Sequence, residues 1–278
     1  MIRWGLDDEE LDPLGFAALR YGLAAVILLS VVLARPGHRE AVRAIDGRTR
    51  RLIVILGIVY FTFTQGAQFI AIDSQPAATT SLVLSATPLI VAMASGRMLA
   101  ERPTVRQVLG GVLVVSGAAL FLAGSLGATT IGLVAAAVGL LANSGGSVLG
   151  RRLNRGGATP AVVITALSMT VGAIGLGLGA IAVEGIPSVS GRAALIIVWL
   201  AVVNTALANT MWNYSLQGLS ALASSGINNT MLMQIALLAW IFLDEAPGTR
   251  GIVAIVLVSV GVLMTQLTRT PQTSTMRP

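Results

Sequence analysis

Two stretches of this chain, residues 107–150 and 193–243, contain no charged side chain. Hydrocarbon offers a backbone no hydrogen-bonding partner, so a run this long and apolar crosses a membrane as helix, where each N–H and C=O is satisfied internally. About 20 mostly apolar residues suffice for one crossing. Each stretch therefore holds two spans, turning at "GSLGATT" and "QGLS" respectively. The intervals 52–72, 74–96 and 156–183 hold one span each, as do 252–268 and 13–34, the last with Arg20 inside it. The reading is an all-α integral membrane protein with nine helices. Composition agrees, since 55% of residues are hydrophobic and only 11% charged, against about 25% charged in a soluble domain.

A second pattern sets the architecture. "LAERPTVRQVLGG" at Leu99 returns as "LDEAPGTRGIVAI" at Leu243; Glu101/Glu245, Pro103/Pro247, Arg106/Arg250, Val114/Val258 and Gly117/Gly261 are each separated by 144 positions. Hydropathy does not account for a shared Glu-x-Pro-x-x-Arg frame, in which Pro suits the first turn of a helix. The span count puts the two copies on opposite faces of the membrane, so the halves are inverted copies. Inverted repeats mark secondary transporters, whose sites lie near the midplane where the halves meet. The first repeat occupies 1–127 with four helices, the second 128–268 with five, and 269–278 is a cytoplasmic tail. The counterpart of the helix at 128–150 would begin before Met1, so the first helix of a five-helix unit is expected to be absent. The acidic opening "MIRWGLDDEELDP" then reads as an external loop; it lacks the apolar core of about 7–15 residues that a signal peptide needs.

Charge placement gives the orientation. Arg35, Arg39, Arg43, Arg48, Arg50 and Arg51 lie in one loop, Arg97, Arg102 and Arg106 in the next on that side, then Arg151, Arg152 and Arg155, and finally Arg269 and Arg277. Only Arg3, Arg192 and Arg250 fall on the other face. By the positive-inside rule the arginine-rich face and the C-terminus are cytoplasmic, in the inner membrane of a bacterium. The net charge of +6 is thus a topology signal, and no nucleic-acid partner is expected. Absence of cysteine excludes disulfides, thiolate nucleophiles and cysteine metal sites. His38, among arginines, reads as a solvated surface residue. No span offers a His, Asp, Glu or Cys to act as base, nucleophile or ligand, which argues against an intramembrane enzyme; no catalytic residue, metal or cofactor is expected.

Polar side chains within a membrane are costly and face a cavity or a partner helix. At about 100° per residue, Thr62, Gln65 and Phe69 share one helix face with Gln68 at its edge. The repeat carries the pattern across. Gln65 corresponds to Asn209, and Thr205, Asn209, Trp212 and Asn213 form one stripe; Ser81 corresponds to Ser225 and Ser85 to Asn229. Ser81, Ser85 and Pro88 share a face, as do Ser225, Asn228 and Asn229. Four repeat-related helices with polar faces meet most economically around one central cavity. The candidate substrate contacts are Gln65, Gln68, Phe69, Ser81, Ser85, Asn143, Asn209, Trp212, Asn213, Asn228 and Asn229. For serines and threonines the balance favours interhelical glue, worth about 0.6 kcal/mol per bond. For the amides it favours ligand contact, because an amide near mid-span is expensive to leave unsatisfied and both donates and accepts, as the two ends of a zwitterion require. Trp212 and Phe69 would suit an apolar wall for an aromatic substrate, although an isolated aromatic in a span is more often packing or an interface anchor. Arg20 reads as a snorkelling side chain near Asp12 or a structural tether, Pro88 as a kink, and "GLGLGA" at 175–180 as close helix packing.

"IRWGLDDEELDPLGFAALRYGLAA" and "SLVLSATPLIVAMASGRMLAERPT" resemble the first loop with second helix, and the fourth helix with its Glu-Arg-Pro turn, of the EamA-type members of the drug/metabolite transporter superfamily. Arg20 stands at that family's characteristic arginine position. The resemblance implies ten helices in two inverted five-helix repeats, nine of them in this chain, with both termini cytoplasmic in the full set. It also implies export of small metabolites by alternating access, with aromatic or other neutral amino acids as the favoured cargo. Without a titratable group in any span, the expected mode is uniport. The expected partners are a small-molecule substrate such as an amino acid and the lipid bilayer, with the chain as a monomer. The competing readings are a multidrug or nucleotide-sugar-type exchanger of the same superfamily, and a non-transporting membrane assembly or channel subunit.

Overall fold

The computed structural model describes residues 13–99, 103–123, 127–183, 185, 189–228 and 248–266, and all regular structure among them is helical. The helices are α1 (Pro13–Ala34), α2 (Pro36–Arg43), α3 (Gly47–Ser74), α4 (Ala77–Ser85), α5 (Thr87–Met98), α6 (Val105–Leu122), α7 (Thr130–Asn154), α8 (Ala161–Val183), α9 (Gly191–Gly218), α10 (Ala221–Asn228) and α11 (Thr249–Gln266). Each of the nine intervals read from the sequence holds helix. The interval opened by α10 continues outside the described residues, as does the chain before Pro13. Five helices, α1, α3, α7, α8 and α9, are long and apolar enough to cross a membrane by length and composition.

Side chains mark the helix starts. Asp46 accepts from the backbone N–H groups of Arg48 and Thr49 at 3.2 and 3.3 Å ahead of α3, and hydrogen bonding from Thr49 holds its carboxyl below the ordinary carboxylate value. Thr104 and Gln107 form a reciprocal capping box on α6, satisfying two otherwise orphaned donors. Thr129 and Ser190 do the single-bond version for α7 and α9.

The 144-residue offset governs the element boundaries. α9 repeats α3 end for end, α11 repeats α6 end for end, and α10 starts 144 residues after α4. Even an irregularity is copied: α3 widens into π-helix over Gly57–Phe63, and α9 does so over Leu200–Leu207. Nothing in the residue pattern announces these wide turns.

Contacts between repeat mates show that the copies are inverted. On α6, Gly110 lies against the carbonyl of Gly261 on α11, and Gly117 against the carbonyl of Ala254. The 144 offset turns each of these contacts into the other, and numbering rises along α6 as it falls along α11. Two equivalent helices that cross antiparallel are related by a half-turn perpendicular to their length, which in a bilayer is an axis in the membrane plane. Val114 and its mate Val258 are buried together at that crossing.

Small residues allow the remaining close approaches, as is usual where lipid supplies no hydrophobic drive between helices. Gly139 and Gly146 on α7 oppose Ala67 and Tyr60 on α3, and Gly132 opposes Gln75 just past the end of α3, so these two helices run antiparallel. A Cβ at Gly172 or Gly175 of α8 would collide with Phe61 or Thr62 of α3, and Thr62 donates to the Gly172 carbonyl at 3.1 Å. In "GLGLGA" the packing role therefore belongs to Gly175; Gly177 and Gly179 face open space.

The span at 74–96 differs from expectation in one respect. Pro88 does more than kink it: the helix stops at Ser85 and restarts at Thr87, with Pro88 in the first turn of α5. Proline has no N–H to give the carbonyl four residues back, at Leu84. The Thr87 hydroxyl donates to that carbonyl instead, at 2.6 Å.

Candidate functional site

Between the halves lies a cavity of about 390 Å³, in the size range of small-molecule sites. Its wall is built of repeat mates. Tyr60 and Asn204, Thr64 and Ala208, Gln65 and Asn209, Gln68 and Trp212, and Leu84 and Asn228 are each 144 residues apart, and all ten line it. Ser81, Ser85, Asn143 and Tyr21 complete the lining. A cavity walled this way sits on the half-turn axis, yet its two sides differ chemically: the mate of Gln68 is the aromatic Trp212, and that of the Tyr60 phenol is an asparagine.

Among the expected contacts, Gln65, Gln68, Ser81, Ser85, Asn143, Asn209, Trp212 and Asn228 are on this wall. Asn229 lies outside the described residues. Phe69 is not part of the lining, and neither is Asn213, which is buried and accepts from Asn154 at 2.7 Å. Asn213 also donates to the Asn209 carbonyl, so its amide is used in joining α9 to α7. Nearby, Arg151 donates to the Leu216 and Gln217 carbonyls, capping the end of α9 on that side.

Sequence reasoning missed Tyr21, Tyr60, Thr64, Leu84, Asn204 and Ala208. For α3 and α9 the reason is the π-helical stretch. A 3.6-residue period places Thr62 and Phe69 with Gln65, but a wide turn advances less per residue, bringing Tyr60, Thr64 and Gln68 into line and turning Thr62 toward α8. The usable signal was the repeat, because Tyr60 and Asn204 are mates in the middle of polar-bearing spans.

None of the described lining side chains is charged. Asn143 donates to Thr87 at 3.2 Å, Asn209 to the Thr205 carbonyl at 2.8 Å, and Thr64 to the Val59 carbonyl at 3.1 Å. By contrast, the side-chain amides of Gln65, Gln68, Asn204 and Asn228 make no hydrogen bond among the described residues. Each retains donors and an acceptor for a solute. Among those residues no cluster of His, Cys, Asp and Glu suits a metal ion.

The model of the EamA-like transporter family matches residues 3–123 and again residues 130–267. The chain belongs to the EamA-like transporter family. A solved structure described as "Crystal structure of protein" is similar to this EamA-like chain with a TM-score of 0.75 at 22% identity, over 96% of this chain and 93% of its own. That likeness concerns the fold alone. No curated protein matches.

Arg20 departs from the snorkelling expectation. It is 6% exposed, with its guanidinium 4.9 Å from the Tyr21 ring centroid and 6.0 Å from that of Phe16. Asp12 lies outside the described residues.

Proposed function

We propose that this membrane transporter exports small neutral amino acids, aromatic ones included, by alternating access around the cavity between its repeats, as a uniporter. The arginine-rich loops and C-terminus would face the cytoplasm of a bacterial cell. The observation that carries the reading is the described wall itself: four amides with no hydrogen bond among the described residues, no charged side chain among those residues, and aromatic surfaces at Trp212, Tyr60 and Tyr21 around about 390 Å³. Amides serve both ends of a zwitterion without fixing a charge in hydrocarbon. Uniport is favoured because the described acidic residues, Glu40, Asp46 and Asp73, are exposed at or near helix ends, far from the buried, pKa-shifted carboxylate that proton coupling employs.

Counterflow tests this directly. Proteoliposomes loaded with unlabelled phenylalanine should accumulate external labelled phenylalanine with no ion gradient. Gln65→Leu and Asn209→Leu should remain folded and bind more weakly, by roughly 5- to 150-fold for a lost buried hydrogen bond of about 1–3 kcal/mol. Absence of counterflow for every neutral amino acid would sink the assignment of cargo. Accumulation against a gradient driven by an imposed pH difference alone would overturn uniport.

A further inference from the structure

Arg20 is a buried charged side chain within α1, about two turns in from the amino-terminal end of that helix. Its Nε is enclosed without a hydrogen-bond acceptor, and none of the described carboxylates pairs with it. Among the described residues the guanidinium thus has no counter-ion, an unfavourable arrangement for a charge buried in a membrane protein. Two aromatic rings offer partial compensation, since the negative face of a ring attracts a cation. One of those rings is Tyr21, which also forms part of the cavity wall. Tyr21 is itself packed in a tilted arrangement against Phe61, their centroids 5.8 Å apart with planes inclined at 60°. The cation is therefore one ring away from a cavity whose described lining carries no charge.

We propose that this cavity is selective for solutes bearing a carboxylate, and that Arg20, stationed behind Tyr21, supplies the positive potential that selects them. In a low-dielectric surround that potential is not screened by salt as it would be at a surface. It favours an anionic group on the Tyr21 side and opposes an ammonium there, so a zwitterion enters in one orientation, with its amino end toward the amides of the other wall. Arg20 is a specificity-determining residue acting through space, not a direct contact. The inference rests on the cavity being the transport site, and it adds the charge and orientation of the cargo.

The test is competition against phenylalanine counterflow by two analogues of similar size, 3-phenylpropionate, which lacks the ammonium, and 2-phenylethylamine, which lacks the carboxylate. A unit charge at ~9 Å and an effective dielectric of about 20 separates acid from amine by well over tenfold. Wild-type protein should show that order, acid before amine. Arg20→Gln should collapse the ratio to within about threefold, and Arg20→Lys, which keeps the charge, should largely retain it. Tyr21→Phe should weaken both competitors without reversing their order. Equal competition in the wild type overturns the proposal even if Arg20→Gln fails to fold, and so does an unchanged ratio in folded Arg20→Gln. Failure of wild-type phenylalanine counterflow would instead remove the transport reading on which the proposal stands.

Discussion

A single methyl group added at Gly110 should weaken the whole molecule. An ideal Cβ built there would sit 2.6 Å from the Gly261 carbonyl oxygen and 3.0 Å from the Met264 and Thr265 side chains. Relief to an ordinary contact of about 3.4 Å requires α6 and α11 to part by roughly 0.8 Å, and a gap of that size forfeits a quarter to a half of each dispersion contact it opens. The oxygen is backbone, so no side-chain rotation relieves it, and the seam runs on through Val114, Gly117 and Val258. Overpacking of this kind costs about 1–3 kcal/mol, which lowers the melting temperature of a chain near this size by roughly 2–12 °C. Thermal unfolding followed by circular dichroism in mild detergent measures it. Gly177→Ala is the control, because a Cβ there meets nothing within 4 Å and alanine is the better helix former. Adding Gly261→Ala to Gly110→Ala should cost less than the sum of the two, since the first substitution has already parted the helices. Gly110→Ala melting at or above Gly177→Ala would refute the reasoning.

Because the chain has no cysteine, Asn143→Cys can be labelled without background; a membrane-permeant thiol reagent should modify it, and saturating substrate should slow the reaction at least severalfold. Unaltered labelling would place residue 143 away from the bound solute. Thr87→Val removes the hydroxyl that serves the Leu84 carbonyl and holds Asn143; it should destabilise by about 1–3 kcal/mol and weaken substrate binding, and a variant as stable as wild type would show the α4–α5 break to be held otherwise. Asp46 stabilises α3 through its depressed carboxyl pKa, and that contribution is complete above the unfolded value of about 3.9 and fades as pH falls through the folded value. The melting-temperature gap between wild type and Asp46→Ala should therefore be constant from about pH 5 to pH 8 and narrow progressively as pH falls below about 4, whereas a gap that does not narrow at all on acidification would discount the carboxylate.

Much of this protein is local physics written into its residues. A bilayer demands apolar runs of set length and sends charge to the ends, so spans such as those between Arg51 and Asp73 and between Arg155 and Glu184 could be read from the charges that bound them. The Glu-x-Pro-x-x-Arg frame, recurring after 144 residues, carried the inversion, and the same offset tied Gln65 to Asn209 before either was seen on one wall. What no local rule supplies is rotation. Whether Thr62 or Tyr60 faces the cavity depends on wide turns in α3 and α9, where Gly172 and Gly175 of α8 leave room for Phe61 and Thr62 to pack against that helix, contacts made by residues more than a hundred positions away. The fate of Arg20 was likewise open, because a long cationic side chain can reach for water or stack on rings, and only the placement of Phe16 and Tyr21 decides between them. Asn213 reads in the sequence like its neighbour Asn209, one turn back. The tertiary structure alone brings Asn154 within 2.7 Å of it, and an amide already satisfied by another helix has less to offer a solute.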